Sequence, residues 1–173
     1  MTYTIRMWVD GMCYTPANGE SVGVAAAAVE HRNSGVINTF TAILPMPAFA
    51  TNSRADLMAI ILALEQAKRR AETQQFLEEP MRVTIYTTSA YAYRVMTSWI
   101  AAHIDRDCRE DIREYSSAQG GSGNRDLTED AVNLQTQIEY CGTVDYEVIE
   151  EWQNQDARDA VDWALDAYVD GHY

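Results

Sequence analysis

Lysine is nearly absent from this chain: Lys68 is the only one, and 13 basic residues stand against 26 acidic ones, for a formal net charge of −13. A broad basic face, the usual electrostatic footprint of a nucleic-acid binder, is therefore missing. Only a local arginine patch could serve that role, and the acidity itself suits a basic partner protein. Cysteine is scarce too. Cys13, Cys108 and Cys141 lie far apart with no C-x-x-C pair, which argues against a disulfide framework or a zinc site. His31, His103 and His172 show no ligand spacing. No apolar run approaches the ~18 residues of a membrane span. The N-terminus carries no basic start followed by an apolar stretch, so a soluble, cytoplasmic protein without membrane contact is expected.

What is present describes a folded globule. Hydrophobic residues make up 47% of 173 positions, enough for the core of one domain over residues 1–173. Tyr3 to Asp10 alternates apolar and polar residues and predicts a strand, which Gly11 is expected to break. Val22 to Glu30 and Val36 to Leu44 are two further strands around a turn signal at Asn33-Ser-Gly35. The alanine run Ala25 to Ala28 fits helix by propensity, but Gly23 and the flanking valines favour strand. Leu57, Ile60, Ile61, Leu64 and Ala67 form one face of a helix from about Ser53 to Ala71. A strand at Arg82 to Thr87 and a helix over Ala90 to Ile104 follow. Residues Asp105 to Asn124 read as a flexible loop ending in Gln119-Gly-Gly-Ser-Gly123. A helix over Leu127 to Tyr140, a strand over Val144 to Trp152 and a helix over Asp156 to Val169 complete the chain. Three strands followed by alternating helices and strands predict an α/β fold with a mixed sheet.

Four local motifs then occur in a telling order. Val9-Asp10-Gly11-Met-Cys13 resembles the T-D-G-x-C/S strand end of the ribonuclease H family. Thr51-Asn-Ser-Arg-Ala-Asp-Leu-Met-Ala59 resembles its T-N-N-R-x-E-L-x-A, Ile85-Tyr-Thr-Thr-Ser89 its I-Y-T-D-S, and Asn124-Arg-Asp-Leu127 its N-x-D-L. The resemblance, to the type 1 family, covers nearly the whole chain. It implies a five-stranded mixed sheet with helices on both faces, and an acid cluster holding Mg²⁺ or Mn²⁺ for endonucleolytic cleavage of the RNA strand in RNA–DNA hybrids. By the same resemblance Asp10, Asp56 and Asp159 are the candidate catalytic and metal-binding residues, with Asp162 the alternative to Asp159.

Each candidate has a plainer reading. Asp10 could be an ordinary strand-terminal Asp-Gly turn. Asp56 could complete a capping box with Ser53. Asp156, Asp159 and Asp162 could simply complement the dipole of the last helix. Tyr14, Tyr91, Tyr93 and Tyr115 could stack on bases or sit in core and rim.

Two departures weigh against a working centre. Thr88 stands where the family places a metal-binding Asp, and the loop Glu150-Glu-Trp-Gln-Asn-Gln155 lacks the family's Gly-His. The segment Trp99 to Asn124, where relatives carry a basic, Trp-rich protrusion, mixes acids with arginines. The resulting expectation is a divergent ribonuclease H-like protein with weak hydrolysis. The alternative is a catalytically inactive protein of the same fold, acting as a binding or interaction module.

Overall fold

A computed structural model describes residues 1–17, 19–44, 50–74, 79–104 and 124–171. Five strands form one sheet in the order β3-β2-β1-β4-β5: β1 is Tyr3–Tyr14, β2 Val22–His31, β3 Ile37–Ile43, β4 Met81–Thr87 and β5 Gly142–Val148. The first three pair antiparallel, whereas β1, β4 and β5 run parallel, so the sheet is mixed. Four helices pack on it: α1 (Asn52–Gln74), α2 (Ala90–Ile104), α3 (Arg125–Glu139) and α4 (Gln155–Val169).

The alternation of β1 sorts the two faces. Ile5, Met7 and Val9 join Leu57, Ile60 and Leu64 of α1 in the main core, to which α2 and α3 add Met96, Ala131 and Ile138. The opposite face of β2, with Val22, Val24 and Ala26, packs under Ala160, Val161 and Ala164 of α4. Strand β2 is thus covered on both sides, which explains its alanines. Residues Ala25 to Ala28 are fully buried, and small side chains let α1 and α4 close on the sheet.

Three local expectations are corrected. Strand β1 does not stop at Gly11 but runs on to Tyr14, with Gly11 paired to Ala25, because extended glycine keeps the ladder intact. The hairpin centres on Arg32 and Asn33, at φ of 54° and 52°, one step before the Asn33-Ser-Gly35 signal. The Ser34 amide bonds the His31 carbonyl across it, and the Gly35 amide bonds the Glu30 carboxylate. Strand β5 ends at Val148, and Glu151–Gln153 forms a single 3₁₀ turn. There the Glu150 amide donates to the Gln153 side chain and the Gln153 amide to the Glu150 side chain, a capping box that turns the chain into α4.

The predicted loop over Asp105 to Asn124 lies outside the described residues, apart from Asn124 itself. Asn124 donates to the Tyr91 hydroxyl at 2.8 Å, and Asp126 accepts both arms of Arg54 at 2.9 Å. The N-x-D-L motif thus locks α3 to α1 and α2. Since Asp126 is 61% exposed, this pair is a modest fastener. Arg54→Ala should lower stability by about 0.5–1 kcal/mol in urea unfolding.

Candidate functional site

Strands β1 and β4 run parallel, and β4 ends at Thr87, paired with Val9 within β1. The next residues, Asp10 and Thr88, therefore occupy neighbouring places about 5 Å apart where β4 ends. Both follow the alternation that points away from the α1 core. Open α/β sheets bind ligands at such carboxyl ends.

Asp56 arrives from α1. A methyl group on Gly11 would lie 2.2 Å from the Ala55 carbonyl carbon and 2.4 Å from the Asp56 nitrogen, so the first turn of α1 rests directly on the glycine. Asn52 adds a side-chain bond to the Cys13 amide at 2.8 Å. The helix is capped by Thr51, whose hydroxyl accepts the Arg54 amide at 3.2 Å. Asp56 is consequently not the partner of a Ser53 capping box. Its carboxyl accepts from the Ser89 hydroxyl and the Gly11 amide and lies close enough to Asp10 to feel its charge. Ser89 also caps α2, accepting the Ala92 amide at 3.2 Å. Sequence reasoning missed this residue, although a serine before a helix is a visible signal.

Burial shapes the electrostatics. Asp10 is 4% exposed. Burial lifts its pKa above the usual carboxylate range, opposed by the Arg158 guanidinium and the Gly11 amide and reinforced by Asp162. Burial pushes Asp56 up to about 7, against the Ser89 hydrogen bond and with help from the Asp10 charge.

The last helix departs from expectation. Asn154, buried before α4, donates to the Val9 carbonyl at 2.9 Å, one residue ahead of Asp10. One turn on, Arg158 Nε bonds Asp10 Oδ2 at 2.6 Å. Asp159 is exposed instead and accepts from Gln155 at 2.6 Å. It lines an open groove with Asp156, Trp163 and Thr39 of the edge strand β3. The structure thus does not bring Asp159 to Asp10 and Asp56, because adjacent helical residues point about 100° apart. Asp162, four residues after Arg158, lies nearer to Asp10. Sequence reasoning missed Arg158, because a charged residue near the start of an acidic helix reads as surface.

The centre therefore gathers the Asp10 and Asp56 carboxylates, the Ser89 hydroxyl and the Arg158 guanidinium, with Thr88 the next residue after β4. Among the described residues no three His, Cys, Asp or Glu side chains are arranged to hold a metal ion. Two divalent ions repel strongly unless several carboxylates neutralise them, and a fixed positive charge already sits on Asp10. These residues do not fit the pair of Mg²⁺ ions implied by the motifs. Of the candidate stacking residues, Tyr91 is tied to Asn124, Tyr14 is 41% exposed at the end of β1, and Tyr115 lies outside the described residues. The Cys13 and Cys141 thiols are free, each donating to a carbonyl at 3.3 Å, while Cys108 lies outside the described residues. No described helix is long and apolar enough to cross a membrane.

Comparison with known proteins agrees with this architecture. Ribonuclease H of Bordetella pertussis is 33% identical over 100 residues, which are 56% of this chain and 51% of that protein. The chain thus spans about half the length of that relative. LC9-RNase H1, described as a type 1 RNase H with the type 2 active-site motif, superposes with a TM-score of 0.65 at 22% identity, over 95% of this chain and 72% of its own. The foamy viral protease-reverse transcriptase in complex with an RNA/DNA hybrid superposes with a TM-score of 0.55 at 13% identity, over 90% of this chain and 19% of its own. The sequence profile of the RNase H family matches residues 3–141, and with its motifs on the expected strand and helix ends the chain belongs to that family.

Proposed function

We propose that this chain recognises RNA–DNA hybrids through its ribonuclease H fold, and that its hydrolysis of the RNA strand is weak to the point of loss. One observation carries the reading: beside Asp10, at the end of β4, stands Thr88, so the strand ends supply one carboxylate where the motif has two. A hydroxyl offers a dipole but no charge, and removing a ligand charge weakens divalent binding severely. Function lives in the site rather than the fold. The fold supports hybrid recognition, and the foamy viral neighbour is described in complex with such a hybrid.

Two observations favour other readings. Asp56 turns toward Asp10 instead of capping its helix, which favours residual hydrolysis with Mg²⁺ or Mn²⁺ at these two acids. The groove of Asp156, Asp159 and the 66% exposed Trp163 favours a basic protein partner instead.

A labelled RNA–DNA hybrid separates these readings. Binding should weaken with salt, as phosphate contacts require, and exceed binding to the matching DNA duplex. Wild type should release no RNA fragments in Mg²⁺ or Mn²⁺. Cleavage that disappears in Asp10→Asn would replace this reading with a hydrolytic one. Absence of hybrid binding would sink it and turn attention to the basic protein.

A further inference from the structure

The misfit between the centre and metal ions has a structural cause. Asp10 is one of the few charged side chains fully inside the fold, with its side chain 3% exposed. A carboxylate so buried needs a positive partner or loses its charge. In this chain the partner is built in. Asn154 anchors the start of α4 to the Val9 carbonyl, which sets the register of the helix over the strand end. The residue one turn later, Arg158, then projects onto Asp10, with Nε 2.6 Å from Oδ2. The anchor sets its backbone position, and the side chain, 40% exposed, reaches in from the rim to the buried carboxylate.

The charges around it complete the pattern. Arg158 acts on Asp56 as well as on Asp10, and Asp162 adds a third negative charge on the side of α4. One guanidinium thus sits among three acids drawn from a strand and two helices. Arginine suits such a seat because it stays charged at any accessible pH and presents its donors in a rigid fork. An incoming divalent ion would meet this fixed positive charge at close range, among acids whose charge it already partly neutralises.

We infer that Arg158 is the resident cation of the Asp10–Asp56 centre, a tethered guanidinium in the seat of a divalent ion, so that the site is assembled without metal. This inference rests on reading Asp10 and Asp56 as the ribonuclease H-type centre, and it deepens that reading by naming what neutralises them. It also predicts what a metal site would require. Thr88 and Arg158 would both have to become acids, since either change alone leaves too little negative charge or a competing cation.

The test is calorimetric titration of Mn²⁺ into the intact chain, with thermal unfolding measured alongside. Wild type should show no Mn²⁺ binding that Asp10→Asn removes, and its midpoint should not move in millimolar Mg²⁺. The Thr88→Asp/Arg158→Asp double variant should gain Mn²⁺ binding at least tenfold tighter than wild type, with a midpoint that rises on adding the ion. Wild-type binding that Asp10→Asn weakens tenfold or more would overturn the inference. Should the double variant fail to fold, Arg158→Gln decides. Loss of the cation should lower its midpoint, with or without Mn²⁺; an unchanged midpoint would show that the guanidinium is not the counter-ion. Hybrid binding is a separate measurement, so its failure would remove the substrate reading and leave the metal titration interpretable.

Discussion

Gly11→Ala should destabilise the protein by about 3 kcal/mol or more, lowering the unfolding midpoint by roughly 6–12 °C for a domain of this size. The cause is a clash with backbone and cannot be relieved by a rotamer. The new methyl would lie 2.2 Å from the carbonyl carbon of Ala55, 2.4 Å from its oxygen and 2.4 Å from the Asp56 nitrogen. Strand β1 and the first turn of α1 would have to part. The bonds that join them, Asn52 to the Cys13 amide and the Gly11 amide to Asp56, would stretch together. Gly35 provides the control. It sits at φ +74° with nothing within 4 Å of an added methyl, so alanine there meets only backbone strain of about 1 kcal/mol. Thermal and urea unfolding of the two variants measures the difference. A Gly11→Ala loss no larger than that of Gly35→Ala would mean that α1 does not rest on the glycine as described.

The same contact shows what the sequence disclosed and what it hid. Asp-Gly is a visible signal, and it drew attention to Asp10. Glycine also reads as a strand breaker, and that reading failed. At position 11 the residue is needed for its missing side chain, in a strand that continues, so that a helix can approach. Among the described residues periodicity exposed strands such as β1 and helices such as α1, because each turns one face to a core with a definite repeat. Gly23 and the flanking valines favoured strand over helix for Ala25 to Ala28, but they did not disclose the reason for alanine, which is a second helix covering the far face. Caps were harder. Thr51 and Ser53 both stand at the start of α1 and both are good caps; which one closes the helix depends on where the chain leaves the sheet.

The largest omission was Arg158. A charged residue in the first turn of an acidic helix reads as surface, and only the fold reveals that it spans back to a carboxylate 148 positions earlier. Asp159 drew the assignment because it is an acid at nearly the right place. Helical geometry turned it instead toward β3 and Trp163.

Asp56→Asn should stabilise the protein, and by an amount that grows with pH. Burial raises the Asp56 carboxyl from the ordinary 3.8 to about 7 in the folded state. Between these values the folded chain holds a proton that the unfolded chain has released. Stability therefore falls as pH rises from about 4 to 7 and levels off above, the sign expected when the native state binds more protons. A shift of this size corresponds to at most about 4 kcal/mol, at 1.36 kcal/mol per pH unit. Asparagine keeps a carbonyl oxygen for the Ser89 hydroxyl and the Gly11 amide but cannot ionise, so it escapes the penalty. The two proteins should unfold alike near pH 4, with the variant ahead by about 2–4 kcal/mol at pH 8. Urea unfolding across that range measures the gap. A gap independent of pH would show that Asp56 ionises as an ordinary surface acid and that the pocket around it is wetter than its contacts with Gly11 and Ser89 require. A gap opening between pH 4 and 7 would identify a carboxyl kept at a cost in stability. Such a cost is hard to explain as packing, because an amide would fill the same space, and it points to a residue retained for what its acid does beside Asp10.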